Sequence, residues 1–375
     1  MASYRELLPG DPAPGFTQRS FANPRYVFDS AAGRYLLLCF FGSARDAHAQ
    51  AAWQAVRSHP QLFDDVSASC FAVSADPADE SDNRLADHYP GYRIFWDFDL
   101  AAAKLYGAAP IEPAAAGGVP LRPRWVLLTP RLTVLKIIPF RRDRGDIAEL
   151  LAALDSLPPP FADPYDCQAP VLLLRDIFEA DFCRRLIDLY DRDGGTDSGF
   201  MRQIDGKTVL VTDPGHKRRK DVILKDAEVI AGTRARVLRR IVPEIKKVHQ
   251  FDVTRMERYI VACYAAEDGG HFRPHRDNTT AGTAHRRFAV SINLNEEYDG
   301  GELRFPEYGE RQIKPPAGGA VVFSCSLLHR VTPVTRGRRY AFLPFLYDEA
   351  AAKIREANSA FLAEGLGSYR AGTPA

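Results

Sequence analysis

The densest proline cluster of the chain lies near its middle, in DSLPPPFADPYDCQAP at residues 155–170. Proline fixes the backbone angle φ, lacks an N–H donor and blocks helix continuation, so regular structure is interrupted here. The chain has 375 residues, more than one hydrophobic core usually organises. The cluster therefore predicts two domains, at residues 1–157 and 169–348, joined by a proline-rich linker at residues 158–168 and followed by a C-terminal helix and tail at residues 349–375.

The composition is typical of a soluble globular protein, with 46% hydrophobic and 26% charged residues and a net charge of +1. This balance gives no sign of a nucleic-acid or membrane surface. The opening MASYRELLPGDPAPGF has charges and prolines where a secretory signal needs an apolar core. The six cysteines lack CxxC or zinc-like spacing, which predicts reduced, mostly buried thiols. We expect a cytoplasmic protein without a membrane or nucleic-acid partner.

Strands and helices alternate before the linker. Apolar runs predict strands in RYLLLCFFG, VSASCFAVSAD and YRIFWDF, and RWVLLTPRLTVLKIIPF is typical of a hairpin with its turn at residues 129–131. Helices are predicted at residues 45–58, in SDNRLADHY, in DLAAAKLYG and in RGDIAELLAALDSL. The alternation predicts an α/β sheet with parallel neighbours, covered by helices on both faces.

This order of elements, with LLPGDPAPGF at its head, resembles the peroxiredoxin branch of the thioredoxin-like fold over residues 5–156. In FFGSARDAHAQAAW, where that family carries its peroxidatic cysteine at the start of a helix, Ala49 occupies about that position. Cys39 and Cys70 lie in apolar strands, where burial raises the pKa of a thiol. We expect a redox-silent domain; a thiol peroxidase acting through Cys39 or Cys70 is the alternative.

The pattern changes after the linker. VLLLRDIFEADFCRRLIDLYDRDGG predicts a strand and a helix, and in DAEVIAGTRARVLRRIVPEIKKVH we expect Pro243 to end or kink the helix. Short strand segments from residue 253 to 347, among them ERYIVACYAA and GAVVFSCSLLHRVTPV, predict an all-β sandwich or jelly roll with helices packed outside. The basic run HKRRK at residues 216–220 favours a solvated loop over a substrate-binding lid.

The segment GGHFRPHRDN at residues 269–278 contains His271 and His275, with Asp277 following. A helix would bring the two histidines onto one face, but two glycines and Pro274 disfavour a helix here. On a strand, residues i and i+2 project from the same face about 6.7 Å apart, and residues i and i+4 stand twice as far apart. The pattern therefore pairs His275 with Asp277 and leaves His271 at the pocket rim or in a structural role.

The third candidate ligand is His329, at the end of the apolar stretch GAVVFSCSLLHRVTPV, from where it could meet the first pair across a jelly roll. Two histidines and one carboxylate form the facial triad of non-haem Fe(II) oxygenases, which keeps metal positions open for substrate chemistry. In the following strand, alternation turns Arg339 inward, where a buried cation needs an anion, while Arg336 and Arg338 are expected to be solvated.

The order HxD followed by HRVTPVTRGRRY resembles the 2-oxoglutarate and Fe(II)-dependent dioxygenases of the prolyl-4-hydroxylase-like branch, over about residues 169–348. The resemblance implies a double-stranded β-helix, or jelly roll, with His275, Asp277 and His329 as iron ligands. It also implies that Arg339 binds the distal carboxylate of 2-oxoglutarate and that Tyr264, in VACYAAEDGG, assists it. The spacing from Tyr264 to His275 is longer than is usual in the family.

The resemblance implies an enzyme that hydroxylates an unactivated C–H bond of a peptide, an amino acid or a small molecule, with succinate and CO2 as co-products. Its implied requirements are Fe(II), 2-oxoglutarate and O2, with ascorbate as a candidate reductant. An intact Asp277 favours hydroxylation, because related halogenases lack this carboxylate. The alternatives are a cupin-like metal protein, which would not need Arg339, and a redox-silent scaffold whose N-terminal domain docks a protein partner.

Overall fold

The computed structural model describes residues 2–112, 119–163, 168–367 and 369–371. Cys167, part of the predicted linker and the last residues of the predicted tail lie outside the described residues. The chain divides into two compact units, one formed by Met1–Gln168 with Pro306–Glu310 and the other by Ala169–Phe305 with Arg311–Ala375. Among the residues described, no helix combines the length and apolar character that crossing a membrane requires.

The N-terminal unit is an α/β structure. Its elements in chain order are β1 (Thr17–Gln18), β2 (Tyr26–Val27), β3 (Tyr35–Gly42), α1 (Ala47–Arg57), β4 (Ala68–Ser74), α2 (Pro77–Ser81), β5 (Tyr92–Trp96), α3 (Ala101–Leu105), β6 (Arg124–Leu128), β7 (Val134–Pro139) and α4 (Gly145–Asp155). A five-stranded sheet has the order β5-β4-β3-β6-β7. The central strands β3, β4 and β5 are parallel, and β6 and β7 are antiparallel additions.

Strands β3 and β4 of this sheet are buried on both faces, as their continuous apolar runs predict. Residues of α1 and α4 pack on the face that carries Leu37 and Cys39. On the other face Phe40 stacks on Tyr106, at the end of α3. The predicted α/β thioredoxin-like fold of the N-terminal part is therefore confirmed.

One predicted helix of this unit is wrong. SDNRLADHY was expected to be helical, but α2 begins earlier, where the Asp76 carboxylate accepts a hydrogen bond from the Ala78 N–H and Pro77 occupies the first turn. The helix ends at Ser81, and Asn83 adopts a left-handed backbone angle of φ +53°. The residue that caps the helix is therefore Asp76, upstream of Ser81 and Asp82, which the sequence pattern indicated as the cap.

The C-terminal unit is built mainly of strands. Its elements are β8 (Leu172–Leu174), α5 (Ala180–Asp193), β9 (Thr196–Asp197), β10 (Phe200–Ile204), β11 (Lys207–Val211), β12 (Lys217–Arg218), β13 (Lys220–Ile223), α6 (Ala227–Arg240), α7 (Val242–His249), β14 (Arg255–Glu257), β15 (Ile260–Ala265), β16 (His271–His275), β17 (Phe288–Asn293), β18 (Tyr298–Gly300), β19 (Leu303–Arg304), β20 (Ala320–Ser324), β21 (His329–Val331), β22 (Val334–Phe342), β23 (Phe345–Tyr347) and α8 (Glu349–Ala357). Helix α6 ends just before Pro243, which lies in the first turn of α7, as predicted.

Two sheets make the predicted jelly roll. The larger sheet has the path β14-β23-β17-β22-β15-β13-β9, with β20, β18 and β8 attached, and the smaller has the order β12-β16-β21-β19. The predicted strand ERYIVACYAA starts later than expected: its first residue, Glu257, ends β14, and β15 begins only at Ile260, after Arg258 adopts a left-handed φ of +65°. The fold class is confirmed, and this break is a correction to it.

The large sheet has two chemically different faces. On its outer face, Val261 and Phe342 pack with α5 and α6 in the hydrophobic core. On its inner face, Tyr264 lies opposite Arg339, and Ala262 lies opposite Ala341. Because side chains alternate along a strand, polar groups and small alanines share this inner face. The sheet thus presents a polar inner face, opposite in character to its apolar outer face.

Candidate metal centre

The three predicted ligand side chains lie together. His275 and Asp277 come from the end of β16 and the turn after it, and His329 begins β21. The Nε2 atom of His275 is 3.6 Å from Oδ1 of Asp277, and Nε2 of His329 is 3.4 Å from Oδ2 of the same carboxylate. One donor atom from each residue lies within 4.8 Å of the others. Three donors at this separation can converge on one metal ion.

The backbone explains why these residues meet. His275 and His329 are direct cross-strand partners on the antiparallel strands β16 and β21. Pro274 lies where the register of that pair is irregular, so its missing N–H disturbs no regular ladder. The Asp277 N–H donates to the Cys325 carbonyl at 2.9 Å, which fixes the turn. The histidines therefore meet on neighbouring strands, not across the jelly roll as the sequence suggested.

Both histidine rings are oriented by backbone carbonyls close to them in the chain. Nδ1 of His275 is 2.8 Å from the carbonyl of Arg273, and Nδ1 of His329 is 3.0 Å from the carbonyl of Leu327. A carbonyl can only accept, so Nδ1 carries the proton and Nε2 presents a lone pair toward Asp277. This tautomer suits a metal ligand, whose other nitrogen usually donates to a carbonyl or carboxylate.

The protonation states also suit metal binding. Burial, followed by the charge of His329, lowers the pKa of His275 to about 4. Burial alone would raise the pKa of Asp277, but His329, His275 and Arg286 lower it well below the ordinary range. A neutral imidazole and an ionised carboxylate are the forms that bind a cation.

His271 lies outside this group. Its Nδ1 contacts the carbonyl of Gly269 at 2.8 Å, a local bond within the turn before β16. It lies four residues before His275 on the same strand, at the separation that made a chelating pair improbable. The structure therefore gives His271 a local structural role.

Arg339 points into the interior of the same unit and is 2% exposed. Its Nη2 donates to Ser291 Oγ at 2.8 Å and to Asn293 Oδ1 at 3.1 Å, and its Nε donates to Asn293 Oδ1 at 3.2 Å. Its Nη1 is buried and has no hydrogen-bond partner among the residues that the structure describes. A buried cation held by neutral groups, with a donor left over, is suited to an incoming carboxylate.

Tyr264 is the neighbour of Arg339 on the sheet. The guanidinium carbon of Arg339 lies 5.5 Å from the centre of the Tyr264 ring, and that of Arg219 lies 5.6 Å from it. The Tyr264 hydroxyl accepts a hydrogen bond from Arg219 Nη1 at 3.3 Å. Tyr264 is therefore beside the Arg339 donor group, with its hydroxyl turned to a second arginine.

Sequence reasoning missed Ser291 and Asn293. Both stand in SINLNEEYDGGELRF, and their alternation in an otherwise apolar strand was the signal that places them on the inner face with Arg339. It also misjudged HKRRK as solvated. Lys217 and Arg219 are 5% and 8% exposed, because the run forms β12 beside β16 and leads into β13. The outer arginines behave as predicted, since Arg336 pairs with Asp299 on the surface.

Known proteins resemble this unit. Residues 259–347 match the sequence profile described as the 2OG-Fe(II) oxygenase superfamily. The C-terminal unit contains a 2OG-Fe(II) oxygenase domain. Its predicted family is thereby confirmed, and the matched segment covers β15 to β23 with all three candidate ligands.

A curated relative of the oxygenase domain is a PKHD-type hydroxylase of Shewanella frigidimarina, 54% identical over 63 residues, or 16% of this chain. The chain spans 28% of that relative's length. Two solved structures are also similar in part. A prolyl hydroxylase of Trichoplax adhaerens has a TM-score of 0.40 at 20% identity, over 49% of this chain and 85% of its own. Peroxiredoxin Q of Xanthomonas campestris has a TM-score of 0.33 at 18% identity, over 38% of this chain and 90% of its own.

Proposed function

We propose that this protein is an Fe(II)- and 2-oxoglutarate-dependent dioxygenase that hydroxylates a C–H bond of its substrate. When bound together, Fe(II) and 2-oxoglutarate supply the oxidation of a C–H bond by O2, with release of succinate and CO2. The candidate iron ligands are His275, Asp277 and His329, and Arg339 is the candidate residue for the distal carboxylate of 2-oxoglutarate. Ascorbate is a candidate reductant.

The observation that carries the proposal is the coexistence of two incomplete sites in one domain. Two imidazoles and one carboxylate leave metal positions open. Arg339 keeps a buried N–H without a partner, which is costly unless a ligand accepts from it. A cupin-like metal protein would account for the first site but not for the second.

The chain's own residues have separate tasks in this proposal. The backbone carbonyls of Arg273 and Leu327 hold the imidazoles so that Nε2 faces the ion. Ser291 and Asn293 orient the guanidinium of Arg339, and Tyr264 lies beside it. Burial of the site removes water and strengthens these electrostatic contacts.

The deciding experiment is anaerobic addition of Fe(II) and then 2-oxoglutarate to the full chain. We expect a visible metal-to-ligand charge-transfer band that needs both additions, followed by succinate release when O2 is admitted. Manganese and zinc loading with 2-oxoglutarate serve as spectroscopic blanks. A chain that binds Fe(II) but shows no band with 2-oxoglutarate would contradict the proposal.

We further propose that the N-terminal unit is redox-silent and docks a protein partner or presents the substrate. The supporting observation is that Cys39 and Cys70 are fully buried in β3 and β4, where burial raises the pKa of both thiols well above the ordinary value. A thiol peroxidase would consume peroxide with a fast phase. We expect Cys39→Ala and Cys70→Ala to consume peroxide at the wild-type rate, and a rate that falls with either substitution would support the peroxidase instead.

A further inference from the structure

The misjudged basic run contributes to a second polar group on the inner side of the oxygenase domain. This group, called the basic cluster below, consists of Lys217, Arg219, Asp221 and Arg258. Asp221 extends from β13 and lies opposite Ala262, on the face that also carries Tyr264. The basic cluster therefore opens toward the same interior as the candidate metal centre.

The one carboxylate of the basic cluster is already occupied. Arg219 donates through Nε to Asp221 Oδ1 at 2.7 Å and through Nη2 to Asp221 Oδ2 at 2.6 Å, a two-pronged pair. Ser198 also donates its hydroxyl to Oδ2 at 2.6 Å. Although burial alone would raise it, the charge of Arg219 lowers the pKa of Asp221 to about 2, so this carboxylate is ionised and paired.

Arg258 is left with a weak partner. Within the described part of the chain its guanidinium makes one hydrogen bond, which Nη2 donates to Asp221 Oδ2 at 3.5 Å. Its side chain is 29% exposed, and partial burial, followed by the charge of Arg219, lowers its pKa to about 10. The Arg258 guanidinium is therefore partly buried and still reachable by solvent. Its remaining N–H groups are available to a ligand.

The backbone holds Arg258 in this place at a cost. Arg258 has φ +65°, in the left-handed region that side chains rarely adopt. A non-glycine residue there is strained, and such strain persists where the surrounding structure enforces it, often at binding sites. Here the strain breaks the strand between β14 and β15 at the residue that projects the guanidinium.

Contacts connect Arg258 to the metal centre. Its guanidinium carbon lies 5.3 Å from the centre of the Phe345 ring, and that of Arg286 lies 4.0 Å from the same ring. Arg286 in turn donates through Nη1 to the Asp277 carbonyl at 3.4 Å. Three contacts, through Phe345 and Arg286, therefore link Arg258 to the candidate ligand Asp277.

The basic cluster has more cations than anions. The guanidiniums of Arg219 and Arg258 face one carboxylate, that of Asp221. Burial lowers the pKa of Lys217 well below its ordinary value, and its amine donates to the neutral Ser198 Oγ and Gly199 carbonyl. Lys217 also lies 5.0 Å from the centre of the Phe272 ring, which stacks on His275 at 3.5 Å. Uncompensated charge in a largely buried place is unfavourable, and an anionic ligand would remove that cost.

We propose that the primary substrate is a small carboxylic acid whose carboxylate is bound by Arg258, while Arg339 serves 2-oxoglutarate. The inference rests on the proposed dioxygenase function. A guanidinium presents two parallel N–H groups that match one carboxylate. A capped peptide, which has no free carboxylate beside the oxidised carbon, lacks the group that Arg258 is placed to bind.

The test is calorimetric titration of the full chain loaded with Mn(II) and 2-oxoglutarate, so that binding is measured without turnover. The probes are amino acids, hydroxy acids and aromatic acids, each paired with its primary amide, and a capped prolyl peptide. We expect one or more acids to bind at least about 10-fold more tightly than their amides, because a charged hydrogen-bonded pair is lost in the amide.

Variants at Arg258 separate recognition from folding. Arg258→Gly removes the guanidinium but suits φ +65°, so thermal stability should be kept while binding of the acid weakens about 10- to 100-fold. Arg258→Lys should retain part of the affinity. Arg184→Ala, which removes an exposed arginine paired with Asp181 on α5, should bind the acid as the wild type does.

The outcomes are distinct. Four results would overturn the inference and leave the proposed function in place. The chain could bind Mn(II) and 2-oxoglutarate but no acid, or bind acid and amide equally. It could also bind the capped peptide more tightly, or the Arg258→Gly variant could keep wild-type affinity for the acid. If the wild type binds neither Mn(II) nor 2-oxoglutarate, the proposed function fails and the inference fails with it.

Discussion

The two units bury polar groups in different ways. In the N-terminal unit Asp79, Asp97 and Asp146 have no exposed surface, and each has hydrogen bonds to both carboxylate oxygens. In the C-terminal unit Arg339 is equally buried, but its Nη1 has no partner among the described residues. Buried polar groups in proteins are normally satisfied. The satisfied carboxylates are therefore part of the fold, whereas the partnerless Nη1 of Arg339 supports the proposed carboxylate site.

The sheets repeat this difference. Strands β3 and β4 are apolar on both faces, so that sheet is a core. Strands β15 and β22 present apolar side chains on one face and the Tyr264–Arg339 pair on the other, so that sheet is both a core and the floor of a site. The comparison predicts that substitutions in the first sheet affect stability and that substitutions on the inner face of the second affect binding.

The largest expected effect is on the metal. Asp277→Ala removes the one negatively charged candidate ligand, and we expect loss of measurable succinate formation and at least about 100-fold weaker Mn(II) binding, because outer partners of a ligand alone account for 10–100-fold. Electron paramagnetic resonance of bound Mn(II) measures the affinity. Asp299→Ala, an exposed aspartate paired with Arg336, is the control and should leave both unchanged. Wild-type succinate release from Asp277→Ala would exclude this carboxylate as a ligand.

The next effect is on the co-substrate. Arg339→Ala should weaken 2-oxoglutarate binding about 10- to 100-fold with Mn(II) affinity little changed, since a charged hydrogen bond is worth roughly 1.5–3 kcal/mol. Titration of 2-oxoglutarate into the Mn(II)-loaded chain gives both constants. The matched control is Arg336→Ala, three residues earlier in β22 and exposed. Equal 2-oxoglutarate affinity in the two variants would favour a cupin-like metal protein.

The units should also respond oppositely to acid. Burial raises the pKa of Asp97 to about 6 from 3.8, so the folded N-terminal unit binds a proton that the unfolded chain releases, and stability is lost as pH rises through this window. Burial, followed by the charge of Arg202, lowers the pKa of His216 to about 4 from 6.5, so here stability is lost as pH falls.

Between pH 6.5 and 4.5 we therefore expect acid to stabilise the N-terminal unit and to destabilise the C-terminal unit, by about 1–3 kcal/mol for each group. Hydrogen exchange of peptides from each unit, corrected for intrinsic rates, measures the two separately. Asp97→Asn and His216→Gln should each flatten the dependence of their own unit alone. Parallel responses of both units to these substitutions would refute the contrast.

The smallest expected effect concerns Tyr264. Tyr264→Phe removes a hydroxyl that accepts one hydrogen bond, from Arg219, and leaves the ring beside Arg339. We expect 2-oxoglutarate affinity to fall about 2- to 10-fold, the value of one hydrogen bond of about 0.5–1.5 kcal/mol. Competition with a labelled 2-oxoglutarate analogue resolves a change of this size. A loss as large as that of Arg339→Ala would give Tyr264 a direct contact with the co-substrate.

Local patterns in the sequence predicted much of this architecture. Continuous apolar runs predicted β3 and β4, and Pro243 predicted the boundary between α6 and α7. The i and i+2 rule paired His275 with Asp277, whose side chains do approach each other. Each of these features depends on residues that are close together in the chain, so the local sequence pattern was enough to predict it.

The features that were missed depend on distant partners. The cross-strand pairing of His275 with His329 is set by the register of β16 with β21, which no single segment encodes. Lys217 was judged by its own polarity, but its burial results from pairing with Phe272. The break at Arg258 moves the start of the predicted strand to Ile260, and an arginine does not predict a positive φ.

The imidazole anchors have a consequence for how a metal is captured. Each ring is held by the backbone carbonyl two residues earlier in the chain, so its orientation requires neither the metal nor the other ligands. The conformational entropy of the two rings is therefore lost during folding, before any ion arrives. The same two segments, placed in register in another sheet, should therefore present two imidazoles that are already oriented for a metal ion.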